Sequence, residues 1–386
     1  MSGLLELGGF RLKNRMQSTA EWEVLADKVS KMIDAGDSSE PARRRELAEA
    51  VFEFQARQNP GLAAWMKAAG GADIKRRGPT GLPISAFKEL DITVLESAAR
   101  VGWFESSGTT SDRKSRHYHN LRTLALYEQS VLGSFIPHLF PEAAQTGRCP
   151  QMAALSLIPT PGLAPHSSLA RMMATALEWM GAESVCAGAS VDRHGTWVFD
   201  FDAIARWLAE RSGENLPVAL FGTAFGFVLL ADHLAGGGVG FTLPPGSRVM
   251  ETGGYKGRSR VVSKSELHLM ISRALGVPAS RIVTEYGMCE LGSQAYDHVA
   301  GEPSSVAPEE RIFHFPPWAW VRCLSPETLG EVGEGEPGLI EVTDLANAGS
   351  SVAILTEDLG VRRGHGFQFL GRREEAGRRG CSLMHA

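Results

Sequence analysis

After Lys88 the chain alternates short apolar runs with amphipathic ones, and this alternation most constrains its fold. Residues 153–158, 217–221, 281–284 and 338–342 are apolar and bounded by turn residues, which predicts short buried strands. Residues 168–180, 201–211 and 264–275 repeat their apolar side chains at three and four, which predicts helices. Strands alternating with helices predict an α/β sheet covered by helices. The segment before Lys88 reads differently. Residues 21–33 and 41–55 have helical periodicity, with charges between the apolar positions. Ser38-Ser39-Glu40-Pro41 is a helix entry, and Pro60-Gly61 and Gly70-Gly71 punctuate the next segment. Gly236-Gly237-Gly238 reads as a surface loop.

Composition bounds the function from outside. A chain of 386 residues holds one large domain or two ordinary ones, with enough apolar residue for a core. A formal net charge of −5 gives no electrostatic footprint for nucleic acid. The local clusters Arg43-Arg44-Arg45 and Lys75-Arg76-Arg77 read as solvated faces. The five cysteines, Cys149, Cys186, Cys289, Cys323 and Cys381, are widely spaced and form no CxxC pattern. That usage predicts neither structural zinc nor a disulfide framework, and suits a reducing cytoplasm. No signal peptide and no apolar run of about 18 residues is visible, so the expectation is a soluble cytoplasmic protein.

The stretch most suggestive of chemistry is Phe104-Glu105-Ser106-Ser107-Gly108-Thr109-Thr110-Ser111-Asp112-Arg113-Lys114. Ser106, Ser107, Thr109 and Thr110 offer hydroxyls, Gly108 frees the backbone, and Lys114 supplies an ammonium. The run follows the apolar Val101 and Trp103 and precedes helix-like residues 121–132, where a strand-to-helix phosphate loop would sit. The Walker pattern GxxxxGK[ST] is absent. A Ser/Thr-rich surface turn is the other reading of the same residues.

Three further motifs come in order: Tyr286-Gly287-Met288-Cys289-Glu290, then Thr356-Glu357-Asp358-Leu359-Gly360, then Gly371-Arg372. This succession resembles the adenylate-forming superfamily of acyl-CoA synthetases, peptide-synthetase adenylation domains and luciferases. Leu82-Pro83-Ile84-Ser85-Ala86-Phe87-Lys88, Leu220-Phe221-Gly222-Thr223-Ala224-Phe225, Thr252-Gly253-Gly254-Tyr255-Lys256-Gly257 and Arg379-Gly380-Cys381-Ser382-Leu383 narrow it. Together these look like the LuxE-type acyl-protein synthetases, from about Phe87 to the C-terminus. The resemblance implies an α/β fold: the large-domain fold of adenylate-forming enzymes, with mixed sheets covered by helices behind a helical N-terminal segment. The periodicity and the resemblance together predict a helical N-terminal segment packed on the core over 1–95, an adenylate-forming core over 96–371, and a short tail over 372–386 in place of the usual small domain.

The resemblance also implies roles. Ser106, Ser107, Gly108, Thr109, Thr110 and Lys114 would hold the β and γ phosphates of ATP, and Glu290 would bind Mg2+. Tyr286 would lie beside adenine, with Gly287 next to it; Asp358 would accept from the ribose hydroxyls, and Arg372 would stand on the ribose side. Gly253 and Gly254 would form part of the nucleotide and acyl wall. The sequence departs from the family pattern at three places: Ser111 stands for Gly, Arg113 for Pro, and Cys289 for a Thr that bonds the α-phosphate. The chain stops at Ala386, where ordinary members continue into a small domain bearing a catalytic Lys. Lys256, flanked by glycines, is the candidate replacement. Cys381, next to Arg378 and Arg379, is the candidate acyl carrier, because neighbouring guanidiniums favour the thiolate. The expected activity is ATP-dependent conversion of a carboxylic acid, a fatty acid first among them, to an acyl-adenylate. The acyl group would then pass to Cys381 and on to a partner such as an acyl-reductase or another acyl acceptor protein. An acyl-CoA or amide ligase and a non-catalytic nucleotide- or acyl-binding subunit are the alternatives.

Overall fold

The computed structural model describes residues 2–36, 40–68, 79, 81–106, 113–254 and 259–373, with backbone alone for 2–17, 144 and 145. Its centre is a six-stranded sheet. The strands are β4 (Ala153–Ser156), β5 (Ser184–Ala187), β8 (Val218–Thr223), β9 (Arg248–Thr252), β10 (Ile282–Tyr286) and β11 (Ala295–Tyr296). They run in the order β11-β10-β9-β8-β4-β5. All pairs are parallel except the edge pair β10/β11. Every position of β4, β8, β9 and β10 is buried, as expected of parallel strands covered on both faces. Phe221, Met250 and Val283 point to one face and pack under helices Leu121–Leu139 and Ser168–Met180. Leu220, Val249 and Ile282, one residue earlier on each strand, pack under helices Phe201–Ser212, Ala224–Gly236 and Lys264–Leu275. Four of these helices start where a side chain accepts a backbone N–H: Ser167 from Ala170, Asp200 from Ala203, Thr223 from Gly226 and Ser263 from Glu266. Each such cap contributes about 1 kcal/mol and fixes where the covering helix begins.

The second sheet contains β1 (Leu82–Pro83), β12 (Ala319–Leu324), β13 (Pro337–Asp344), β14 (Ala353–Arg363) and β15 (Gly366–Arg372). Its order is β1-β14-β13-β12, with β15 paired antiparallel to β14. Two hairpins complete the strands: β2 (Gly102–Glu105) with β3 (Arg116–His119), and β6 (Ala189–Val191) with β7 (Trp197–Phe199). The N-terminal helices Ser2–Ala35 and Pro41–Gln58 share one core with the second sheet: Trp22, Val29, Phe52 and Phe54 lie in the same cluster as Tyr286, Phe313, Val342 and Ile354. Gln55 is fully buried there and donates to the carbonyls of Asn347 and Ala348, each at 2.9 Å. Its side-chain oxygen accepts the Val352 N–H at 2.9 Å.

The strand and helix expectations agree closely with these elements, with one correction. The Ser/Thr-rich loop does not run from a strand into a helix. It closes the hairpin β2/β3, and the helix starts only at Leu121, capped by Asn120. The strand β3 alternates exposed Arg116 and half-buried Tyr118 with buried His117 and His119. Its inward residues are histidines, so an apolar period of two never shows in the sequence.

Candidate active site

Parallel α/β sheets place ligands beyond the carboxyl ends of their strands. Here β9 ends at Thr252 and passes into Gly253-Gly254, and β10 ends at Tyr286 and passes into Gly287-Met288-Cys289-Glu290. Gly254 has φ +110°, a conformation that favours glycine. Tyr286 is the joint between the two sheets. Its hydroxyl donates to Asp358 Oδ2 on β14 at 2.8 Å. Asp358 stands directly across from Arg372 in the β14/β15 register, and Arg372 Nε lies 3.5 Å from Asp358 Oδ1. The Arg372 side chain is 67% exposed, so its guanidinium faces solvent beside a buried carboxylate. Phe313, Phe315, Phe367 and Phe369 surround the Tyr286 ring at centroid distances of 5.2–6.2 Å. Burial first, and then the Asp358 charge, push the phenol far above its ordinary range, so it acts as a hydrogen-bond donor.

The second half of the site lies at the turn after Tyr286. Glu290 is 4% exposed, and both of its carboxylate oxygens have donors. Ser115 Oγ donates to Oε1, and Cys289 Sγ donates to Oε2 at 3.0 Å. Burial and the neighbouring Glu290 raise the Cys289 thiol well above its ordinary value, which keeps it protonated. The turn is held from both sides. Asn347 Nδ2 donates to the Glu290 carbonyl at 2.8 Å, and His117 Nδ1 meets the Cys289 carbonyl at 2.9 Å. Burial lowers His117 to about 4, so the ring is neutral near pH 7 and donates that proton. Ser106 and Ser115 close the base of the loop: Ser115 N–H donates to Ser106 Oγ at 3.1 Å, and Ser106 N–H to the Ser115 carbonyl at 3.3 Å. Lys114, 54% exposed, is ion-paired to Glu105 at 3.0 Å. Burial raises the Glu105 carboxyl, but hydrogen bonds from Trp103 and Lys114 outweigh it and hold Glu105 below its ordinary value. Arg113 pairs with Glu89.

Gly287 joins the two halves. A Cβ there would run into Glu285 Oε1, so the backbone and that carboxylate need the room a glycine leaves. Glu285 is itself buried. Burial raises it to about 7, a Thr252 hydrogen bond opposes the rise, and the nearby Glu251 charge adds to it.

The fold therefore brings together Ser106, Lys114, Cys289 and Glu290 around one turn, and Tyr286, Asp358 and Arg372 around the other side of Gly287. Ser107, Gly108, Thr109, Thr110, Lys256 and Cys381 lie outside the described residues. Sequence reasoning missed Ser115, Asn347 and the four phenylalanines. Ser115 directly follows Lys114, and Phe367 and Phe369 alternate along β15, which were the available signals. Among the described residues, no group of three or more His, Cys, Asp or Glu side chains is arranged to hold a metal ion. A single buried carboxylate with open lone pairs fits Mg2+, which commonly takes one or two carboxylates and completes its shell with phosphate oxygens and waters. The described cysteines Cys149, Cys186, Cys289 and Cys323 are free thiols.

Solved structures show the fold first. A 2-hydroxyisobutyryl-CoA ligase in an open conformation with 2-HIB-AMP and CoA is similar at TM-score 0.60 and 13% identity, covering 86% of this chain and 75% of that one. The same ligase in a postadenylation state with R3-HIB-AMP gives TM-score 0.60 and 12% identity over 86% and 69%. The fold is that of the adenylate-forming ligases. Residues 196–386 match the family described as acyl-protein synthetase, LuxE. The long-chain-fatty-acid–luciferin-component ligase of Aliivibrio fischeri is 22% identical over 164 residues, 42% of this chain and 41% of that protein's length. The C-terminal part of the chain, residues 196–386, is thus similar to the LuxE-type acyl-protein synthetases.

Proposed function

We propose that this chain activates a carboxylic acid, with a fatty acid as the preferred class, as an acyl-adenylate at the expense of ATP. It then carries the acyl group on Cys381 to a partner protein. The observation that carries this reading is the pair of half-sites flanking Gly287: a hydroxyl-rich hairpin clamped to Glu290 on one side, and Tyr286 with Asp358 and Arg372 on the other. A nucleotide laid across Gly287 would have its ribose at Asp358 and Arg372, its base against Tyr286, and its phosphates toward Ser106, after which Ser107, Gly108, Thr109 and Thr110 follow in the sequence. The LuxE-family match and the named function of the A. fischeri relative agree with this reading.

A free carboxylate is a poor acyl donor because its leaving group would be oxide. One of its oxygens attacks the α-phosphorus, the bond to the β-phosphate breaks, and pyrophosphate leaves. Loop hydroxyls and backbone N–H groups would stabilise the charge gathering on the leaving group. Lys114 would exchange its exposed pair with Glu105 for a phosphate oxygen, at little cost because exposed pairs are weak. Glu290 would hold Mg2+, which when bound neutralises phosphate charge. Lys256, two residues past the glycine pair after β9, would supply the cation at the α-phosphate and the reacting carboxylate. In the second step the Cys381 thiol gives up its proton, its sulfur bonds the acyl carbon, and AMP leaves. The thioester is then passed to an acyl-reductase or another acyl acceptor protein. A reducing cytoplasm suits the free thiols and the thioester of this reading. No helix among the described residues is long and apolar enough to cross a membrane.

The test compares intact protein with Cys381→Ser, each given ATP, Mg2+ and a labelled fatty acid. The native chain is expected to form acyl-AMP and a hydroxylamine-sensitive acyl-protein. Cys381→Ser should form acyl-AMP alone, and full self-acylation of that variant would remove Cys381 from the mechanism.

A further inference from the structure

Asp344, the last residue of β13, is fully buried, and its carboxylate joins two turns that lie far apart in the chain. Its backbone is fixed first: the Asp344 N–H donates to the Val352 carbonyl at 2.7 Å. Its Oδ1 accepts the Ala346 N–H at 3.0 Å, which shapes the turn Leu345–Asn347. The same carboxylate reaches the turn that carries Glu290. Oδ2 accepts the Gly292 N–H at 2.9 Å, and Oδ1 accepts the Ser293 hydroxyl at 2.7 Å. Asn347, at the end of the first turn, donates back to the Glu290 carbonyl at 2.8 Å. Residues 290–293 are thus held at both ends by residues 344–347. The two turns also touch directly. A Cβ on Gly292 would lie 2.8 Å from the Ala346 Cβ and 2.9 Å from the Ala346 carbonyl carbon, so the backbones meet where a glycine alone leaves room. We infer that Asp344 is a positioning residue for Glu290: it fixes the backbone that bears that carboxylate and so sets how tightly Glu290 holds Mg2+. The inference rests on the proposed role of Glu290 as the Mg2+ ligand.

The physical reason is the match between acceptor and donors. An ionised carboxylate accepts only, and the Gly292 N–H, the Ser293 hydroxyl and the Ala346 N–H all donate. An asparagine offers one oxygen and an NH2 group, so Asp344→Asn sets N–H against a donor on one side and breaks at least one tie. Glu290 keeps its own donors, Ser115 and Cys289, in that variant. What changes is the placement of the backbone beneath it. Groups that orient a metal ligand typically change metal affinity by about 10- to 100-fold when removed. Asp344 acts through the backbone and not on the Glu290 oxygens, so the lower end of that range is expected.

ATP binding to the full chain, measured by calorimetry in Mg2+ and again in EDTA, tests this without relying on turnover. The wild type should bind more tightly with Mg2+. Asp344→Asn should keep the EDTA affinity and require about 10-fold more Mg2+ for half of the effect. Gly292→Ala pushes the same two turns apart from the opposite side, so it should give the same shift and carries the test if Asp344→Asn fails to fold. The double variant should be little worse than either single one, because both break one tie. Ser247→Ala is the control for lost stability alone. Ser247 is buried just before β9, at the opposite end of that strand from the site, where it accepts the Val218 N–H and donates to the Pro244 carbonyl. Its Mg2+ response should match the wild type. A wild-type response in both Asp344→Asn and Gly292→Ala, with Glu290→Gln unresponsive, overturns the inference and leaves the proposed function standing. Equal losses in Mg2+ and EDTA, additive losses in the double variant, or the same shift in Ser247→Ala also overturn it. A wild type indifferent to Mg2+, or a Glu290→Gln variant that responds like wild type, overturns the metal reading and the inference with it.

Discussion

Tyr286 shows how one side chain serves both fold and site. Its ring fills a nest of four phenylalanines, while its hydroxyl reaches the buried Asp358 of the other sheet. Tyr286→Phe keeps the ring and leaves the carboxylate short of a donor. A loss of about 2 kcal/mol is expected, measured by urea denaturation, because buried bonds to charged groups carry that much. Glu285 gives a pH-dependent counterpart. Its folded value of about 7 exceeds the ordinary 4.5, so between these values the folded chain holds a proton that the unfolded chain has lost. Stability contributed by the protonated form is therefore present below about 4.5, declines as pH rises, and is lost above about 7. Glu285→Gln should be more stable than wild type at pH 8, by on the order of 3 kcal/mol, and lose that advantage near pH 4.5. Denaturation curves across that range decide it; an advantage that does not change with pH contradicts the buried-acid explanation.

At the level of elements, what the sequence revealed depended on whether a local rule governed the position. Helices Ser168–Met180 and Lys264–Leu275 were legible to the residue because their periodicity and caps are local. The β2/β3 hairpin was not, because His117 and His119 face inward and are kept neutral by burial. Their neutral state is a tertiary effect that no local pattern records. The candidate site divides the same way. Tyr286, Asp358 and Glu290 stand in recognisable motifs, whereas Ser115 and Asn347 matter only through contacts across long stretches of chain. One crowded point is the turn at Gly287. Gly287→Ala should destabilise the fold by about 1–3 kcal/mol by crowding Glu285. Combining it with Glu285→Ala should cost less than the sum of the two single changes, since the clash partner is gone. Additive costs in that cycle would place the strain elsewhere.

Across the whole molecule, the N-terminal helices and the site share one core. Gln55 binds the Asn347–Ala348 carbonyls, and Asn347 in turn holds the Glu290 carbonyl. Gln55→Ala should therefore cost about 3 kcal/mol by orphaning buried backbone groups, and should weaken ATP binding although residue 55 lies on a helix outside both half-sites. Wild-type ATP affinity in a clearly destabilised Gln55→Ala chain would separate the helices from the site. The order of motifs along the sequence was enough to point to adenylate-forming chemistry. How the first helices join that core was not legible, because a buried Gln looks like any polar helix residue until its partners are known.

Release of pyrophosphate from ATP, followed with Mg2+ across fatty, short-chain and aryl acids, is the most direct measurement. Acid-dependent release with a fatty acid, lost in Glu290→Gln, is the predicted result. No release with any acid contradicts carboxylate activation by this chain.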